Sequence, residues 1–311
     1  MSDPILIDCD YIFPQFAAAY LLVEGDRAAF VENNTTHAVP RLMQALQRAG
    51  RKPEDVDYVV ITHVHLDHAG GTSALMAACP RATLIAHPRA ARHIKDPTKL
   101  IAGARAVYGD ARFEKLYGQI DAVAETRIRE VADEEVIRWG QREWRFLHTR
   151  GHAKHHFCLW DSAVQGTFTG DAFGIFYPCL QTATPFIFPS TSPTDFEPDE
   201  ARAAIKRVAS LAGDRAFLTH YGEMRQLQAR ALDLIDWIDF SQALVEKARD
   251  SDEPDAGLTA FCLQQIDARF RAALEKRGLM RADNWELLRI DRELNAAGLA
   301  HVARARRTAE T

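Results

Sequence analysis

Between Val59 and Thr72 the chain reads VVITHVHLDHAGGT, which puts three histidines and one aspartate into six residues directly after an apolar run. Imidazole nitrogens and carboxylate oxygens are the donors that hold Zn²⁺ and similar ions. His63 and His65 lie two apart, so on an extended or looped backbone their side chains emerge on one side and converge on one ion. Asp67 and His68 follow and reach a second ion beside it. Four polar side chains satisfied at a strand end would be the alternative, and so dense a cluster makes it the poorer account.

A pair of ions needs about three further ligands, and later segments offer them. LHTRGHAKHHF, TFTGDAFG and FLTHYG are each an apolar run that ends in polar residues beside glycine. They supply His148, His152, His155 and His156, then Asp171, then His220.

The elements that must position these residues are visible in the periodicity. Ala17 to Asn33 holds two strand-like runs around Glu24-Gly25-Asp26, a hairpin signal. Thr36 to Gly50 has Val39, Leu42, Met43 and Leu46 at helical spacing and stops on a glycine. VDYVVITHVH reads as a short buried strand running into a loop, with ATLIAHP as its partner after another helix. Leu100, Ile101, Ala104 and Val107, then Phe113, Leu116 and Tyr117, interrupt this alternation and predict a helical insertion over 96–119. From Ile128 the strand signal returns in VIRWG, EWRFLHTRG, HHFCLWD and GTFTGDAFG. Beyond Tyr221 the periodicity is helical, with DSDEPDAG as a linker. The expected architecture is two sheets sandwiched between helices over residues 1–228, followed by a helical extension over 229–311. Gly70 and Gly71 are expected to let the chain turn tightly past the ligands.

Composition narrows the function classes. With 47% hydrophobic residues the 311-residue chain can bury a sizeable core. A formal charge of −5 without a dense Lys/Arg tract argues against a dedicated nucleic-acid binder. Five widely spaced cysteines without a CxxC pair suggest neither a disulfide framework nor a thiolate zinc site, and fit a reducing cytoplasm. No basic leader precedes a long apolar stretch, and no window reaches about 18 uninterrupted apolar residues, so neither targeting nor membrane insertion is expected.

Taken in order, the ligand-bearing segments resemble the metallo-β-lactamase-fold hydrolase superfamily, nearest to its glyoxalase II-like branch. THVHLDHAGG is similar to the family's THxHxDHxGG, HTRGHAKHH to HTPGHTxxH, FTGDAFG to FxGDxxF/G and LTHYG to its terminal GHG or THxG. The resemblance spans roughly residues 17 to 225. It implies an α/β fold built as a four-layer αββα sandwich, with His63, His65 and His152 on a first metal, Asp67, His68 and His220 on a second, and Asp171 bridging them. His156 falls where a side chain orienting a ligand would lie. His148 is left to the preceding strand, His155 without a role, and His37, His93 and His301 to the solvated surface.

The implied cofactors are two divalent ions, Zn²⁺ first, with iron or manganese accepted by the same donors. Such ions, about 3.5 to 4 Å apart, share a water and bring its pKa toward about 7, so hydroxide becomes the nucleophile. Asp67 would orient it and pass its proton to the leaving group. The expected substrate is a small thioester, ester or lactone with an apolar acyl part. Phe173, Phe176, Tyr177, Tyr221 and His87 are the expected substrate contacts, with Phe186 and Phe188 in the same apolar stretch. No Lys/Arg motif in the C-terminal helices matches the cluster that holds glutathione in glyoxalase II. A phosphodiesterase or nuclease is the first alternative and would need a basic exosite. A β-lactam hydrolase is the second, and the complete Asp67-His68 pair suits it less well. The expected partner is a small molecule, with neither nucleic acid nor membrane, and a homodimer is the assembly considered.

Overall fold

A computed structural model describes residues 2–191 and 196–310, so Ser192 and Pro193, at the end of the apolar stretch after Asp171, lie outside the described residues. The side chain of Val107 does as well. The chain divides into two compact units. One holds the residues up to His148 together with His155–Gly170 and Leu211–Leu227, and the other holds Thr149–Lys154, Asp171–Ser210 and the residues from Gln228 on.

The first unit carries the twelve strands of the described residues. A hairpin of β2 (Ala18–Glu24) and β3 (Arg27–Val31) turns at Gly25, as Glu24-Gly25-Asp26 predicts, and β1 (Ile5–Asp8) pairs antiparallel with β2. After α1 (Val39–Arg48) comes β4 (Val56–Val60), then the short α2 (Leu66–Ala69), α3 (Thr72–Ala78) and β5 (Thr83–Ala86). Helices α4 (Pro88–Lys95), α5 (Thr98–Tyr108) and α6 (Asp110–Tyr117) lead to β6 (Ile128–Glu130), and the last two helices fall inside the predicted insertion. The order β1-β2-β3-β4-β5-β6 makes one sheet, parallel from β3 onward. The second sheet runs β12-β11-β10-β9-β8-β7. Its strands are β7 (Val136–Trp139), β8 (Arg142–His148), β9 (Phe157–Asp161), β10 (Gly166–Gly170), β11 (Arg215–Leu218) and β12 (Gly222–Met224).

Two apolar layers hold this unit together. Tyr20, Leu22, Val31 and Val60 of the first sheet meet Trp139, Trp144, Phe146, Phe168 and Phe217 of the second, and the Tyr20 ring stands edge-on to Phe168 at 5.2 Å. Leu21, Phe30, Val59 and Leu84 point the other way and pack with Leu42, Leu46, Leu75 and Ile94 from α1, α3 and α4. The inner strands β2 to β5 are therefore apolar on both faces, which is why β4 reads as a continuous run rather than an alternation.

The second unit comprises α7 (Pro198–Ala209), α8 (Leu227–Arg249), α9 (Leu258–Glu275), α10 (Ala282–Leu287) and α11 (Arg289–Glu310), with α9 and α11 packed along each other. Residues 171–191 also belong to it, so the units do not part at the 228/229 boundary that periodicity suggests. The reason is burial: Phe188 sits 5.0 Å from the Phe270 ring of α9, and Phe270 in turn 4.9 Å from Trp237 of α8. Two sheets with helices, and helices at the C-terminal end, are the mixed α/β architecture expected. No helix among the described residues is long and apolar enough to cross a membrane.

Candidate metal centre

The ligand segments begin where strands end. β4 stops at Val60, and the backbone carries Thr62, His63 and Val64 through the interior before α2 brings Asp67 and His68 round. β11 stops at Leu218 and delivers His220 two residues later. Within the first unit, ligand atoms of Asp67, His68 and His220 all lie within 4.8 Å of one another. His63 Nε2 is 2.9 Å from His65 Nδ1, so these two also converge. In the second unit His152 Nε2 is 3.4 Å from Asp171 Oδ2.

What lies behind each imidazole fixes what its front can do. His220 Nδ1 is 2.8 Å from the Phe16 carbonyl, and a carbonyl only accepts, so Nδ1 carries the proton and the Nε2 lone pair faces Asp67 Oδ2 at 3.4 Å. His152 repeats the arrangement, with Nδ1 3.1 Å from the Ser190 carbonyl and Nε2 turned to Asp171. His68 Nδ1 donates to Glu32 Oε2 at 3.1 Å, with Nε2 3.9 Å from Asp67 Oδ2. Lone pair thus meets carboxylate three times over, and a cation between them satisfies both. Neutral imidazoles held by acceptors at the far nitrogen are what a divalent ion binds, so the residues fit the metals that the motif implies.

Glu32 went unnoticed in the sequence, and the structure makes it central to this arrangement. It is 1% exposed, and its other carboxylate oxygen accepts from the Thr62 backbone N–H at 2.9 Å. One side chain therefore holds both the strand that leads to His63 and the ring of His68. The only local signal was a carboxylate at the end of the buried run AAFV, where a charge must have partners to stay.

Close packing holds the ligand loop in place. Gly70 and Gly71 do not turn the chain through left-handed angles; their φ values are −62° and −83°. Gly71 is required for a different reason, because a Cβ there would meet the Thr35 and Asn33 carbonyl oxygens at 2.7 and 2.9 Å. The backbone N–H groups of Asn33 and Asn34 both donate to the His68 carbonyl, at 3.0 and 3.1 Å. Gly170, ending β10, has φ +47°, and a Cβ on it would meet His156 Nε2 at 2.6 Å. His156 is fully buried beside His63, at 4.9 Å between ring centroids.

Other predicted residues fall elsewhere. Phe173 and Tyr177 are 0% and 1% exposed, and Tyr177 donates to Asp291 at 3.2 Å. Both are core of the second unit and offer no surface to a ligand, as are Phe186 and Phe188; Phe176 is half-buried. Nearness to Asp171 in sequence misled because it does not say which way a ring points. Tyr221 is buried in the layer between the sheets, and burial, with Asp8 adding to it, pushes its hydroxyl up to about 12. His87 accepts from Arg89 N at 3.0 Å as the N-cap of α4, and its ring lies 4.2 Å from that of His148, so its visible work is structural. His155, left without a role, stands 5.5 Å from His65, and His93, expected on the solvated surface, is half-buried 6.3 Å from His155.

Comparison with known proteins gives the family. By sequence the chain is similar to the metallo-beta-lactamase fold-containing protein ST1585 of Sulfurisphaera tokodaii, 24% identical over 170 residues that make up 53% of this chain and 60% of that protein. It is also similar to an N-acyl homoserine lactonase of a Bacillus species, 26% identical over 119 residues, 38% of each chain. The matches thus span under two thirds of these relatives' own lengths. In structure, ST1585 superposes with a TM-score of 0.66 at 19% identity, covering 96% of this chain and 98% of that one. The metallo-beta-lactamase family protein TTHA1429 of Thermus thermophilus does so at 0.65 and 19%, covering 98% and 94%. The family model of the metallo-beta-lactamase superfamily matches residues 14–220, from just ahead of Phe16 to His220, and the chain belongs to that superfamily.

Proposed function

We propose that the chain is a metal-dependent hydrolase that cleaves a thioester, ester or lactone of a small substrate in a reducing cytoplasm. The observation that carries this reading is the repeated meeting of an imidazole lone pair with a carboxylate, each imidazole fixed from behind by an acceptor. On the order of the motifs, His63 and His65 would hold one ion and Asp67, His68 and His220 another, and His152 and Asp171 would serve as ligands in the second unit. Zn²⁺ suits the donor set best, and iron or manganese fit it too. Divalent ions bound there would supply Lewis acidity, polarising a carbonyl and bringing the pKa of water toward about 7.

The chain's own groups account for the rest. The Asp67 side chain is 29% exposed, the most open carboxylate of the set, so it is the group that reaches a water from solvent, orients it and takes its proton. Hydrolysis adds that hydroxyl to the acyl carbon, and the proton travels to the departing sulfur or oxygen. His68 and His220 keep their tautomers throughout because Glu32 and the Phe16 carbonyl hold the far nitrogens. The similarity to a lactonase supports a cyclic ester within the substrate class.

The test is elemental analysis of the purified protein together with a panel of thioesters, esters, lactones, phosphodiesters and a β-lactam. The expected result is two ions per chain and turnover confined to the carboxylic substrates. About one ion per chain would remove the dinuclear assignment, and turnover of phosphodiesters or the β-lactam alone would replace the substrate class.

A further inference from the structure

The loop between β1 and β2 is unusual in what it exposes and in what it touches. Phe16, at its end, holds His220 through its carbonyl and lays its ring edge-on to the imidazole at 5.3 Å. Phe13 and Tyr11 pack on Phe16 at 4.8 and 5.7 Å. Tyr11 then reaches the helical insertion, with its hydroxyl 3.4 Å from that of Tyr117 on α6. Tyr117 packs in an apolar cluster with Phe113 and Leu66, and Leu66 lies between the ligands His65 and Asp67. One aromatic wall thus starts on His220 and ends inside the HVHLDH segment, joined at both ends to the residues that would hold the second ion.

Polar contacts tie down its stem. The Asp8 carboxylate accepts from the backbone N–H of Asp10 at 3.0 Å and of Gln15 at 3.1 Å, and Asp10 pairs with Arg41. At the tip, Phe13 N donates to the Tyr11 carbonyl at 2.6 Å around Ile12, whose φ is +61°. A β-branched residue in the left-handed region is rare, and such strain is concentrated where function uses it. The strain turns Ile12 outward, 40% exposed, beside half-buried Tyr11 and Phe13. The loop leaves Ile12 in water and Tyr11 and Phe13 partly so, on the connection whose Phe16 carbonyl meets His220.

We propose that Tyr11, Ile12, Phe13 and Tyr117 form the acyl-recognition wall of this enzyme, selecting an uncharged aliphatic or aromatic acyl group of medium length. The proposal rests on the hydrolase reading for its reaction and on this wall for its specificity. The acids nearest the tip, Asp8 and Asp10, are already taken by backbone N–H groups and Arg41, so the surface offered to a substrate is apolar and hydroxylic.

Two measurements on the metal-loaded protein test it. In the first, octanoyl and acetyl thioesters are compared: Ile12→Ser and Phe13→Ala are expected to lower the octanoyl/acetyl ratio of kcat/KM about tenfold, while Val136→Ser, at an exposed site on the edge strand β7 of the second sheet, leaves the ratio unchanged. In the second, binding of sodium octanoate and sodium phenylacetate is followed by calorimetry without turnover, and both variants are expected to weaken it at least about fivefold. Should Phe13→Ala fail to fold, Ile12→Ser at the exposed apex decides alone. Should no thioester be cleaved by the wild-type protein, the thioester part of the hydrolase reading fails and the binding arm still judges the wall. Absence of binding to the wild-type protein, or ratios and affinities within twofold of wild type in both variants, would overturn the wall.

Discussion

Glu32 carries more of the centre than its single position in the sequence suggests. It ties the Thr62 backbone and the His68 ring to one carboxylate at 2.9 and 3.1 Å, in a place that is 1% exposed. Glu32→Ala is expected to strand the Thr62 N–H and free His68 to rotate, costing about 1–3 kcal/mol of stability and 10- to 100-fold in metal affinity. Chelator competition checks the affinity and urea denaturation the stability; an unchanged affinity would leave Glu32 merely structural. Gly71→Ala should destabilise by about 1–3 kcal/mol, because carbonyl oxygens at 2.7 and 2.9 Å leave the methyl no room. A variant as stable as wild type in the same denaturation would refute that close approach. At this scale the sequence was legible where ligands crowd together, as in HVHLDH, and silent where a partner comes from another strand. Nothing local to FVENN says that its carboxylate meets a histidine 36 positions away.

At the scale of elements, one arginine replaces a helix cap. Arg307 on α11 donates to the carbonyls of Ala248 and Arg249 at 2.8 Å each, to that of Ser251 at 2.7 Å and to that of Glu253 at 2.8 Å, where α8 ends and the linker to α9 begins. Those are the orphan acceptors that every helix end leaves, and a guanidinium has enough donors to serve several. Arg307→Met is expected to destabilise the second unit by about 1.5–3 kcal/mol, read as a lower denaturation midpoint, with Arg307→Lys recovering only part because an ammonium lacks the planar fork. Equal stability of all three proteins would sink this account. Periodicity showed α8, α9 and α11 as helices and DSDEPDAG as a linker, yet it could not show that residues 171–191 join them. That association is made by Phe186 and Phe188 against Phe270, contacts between positions far apart in the chain. The same blindness to direction made Phe173 and Tyr177 look like pocket residues when they are core.

Over the whole molecule, metal binding of the kind proposed would be coupled to folding, since a ligand held by the folded state alone stabilises it by mass action. Stripping the ions with a chelator is expected to lower the melting temperature by on the order of 10 °C, restored by added Zn²⁺. An identical melt with and without bound metal would argue that the donors do not meet around an ion. The thiols give an independent check of burial. Cys79 and Cys262 are buried, which pushes their pKa up to about 12 and about 11, Cys9 and Cys158 are buried too, and Cys179 is exposed. Alkylation of the native protein at pH 8 should therefore modify Cys179 alone, and mass spectrometry showing several adducts before unfolding would contradict the packing. The placement of His63, His65, Asp67, His68 and His220 beyond the ends of β4 and β11 has an evolutionary consequence. The strands ask only for apolar bulk, so their residues are free to be exchanged over time while a few loop positions hold the chemistry. A chain under that selection drifts to 19% identity with ST1585 and still superposes on it along nearly its full length.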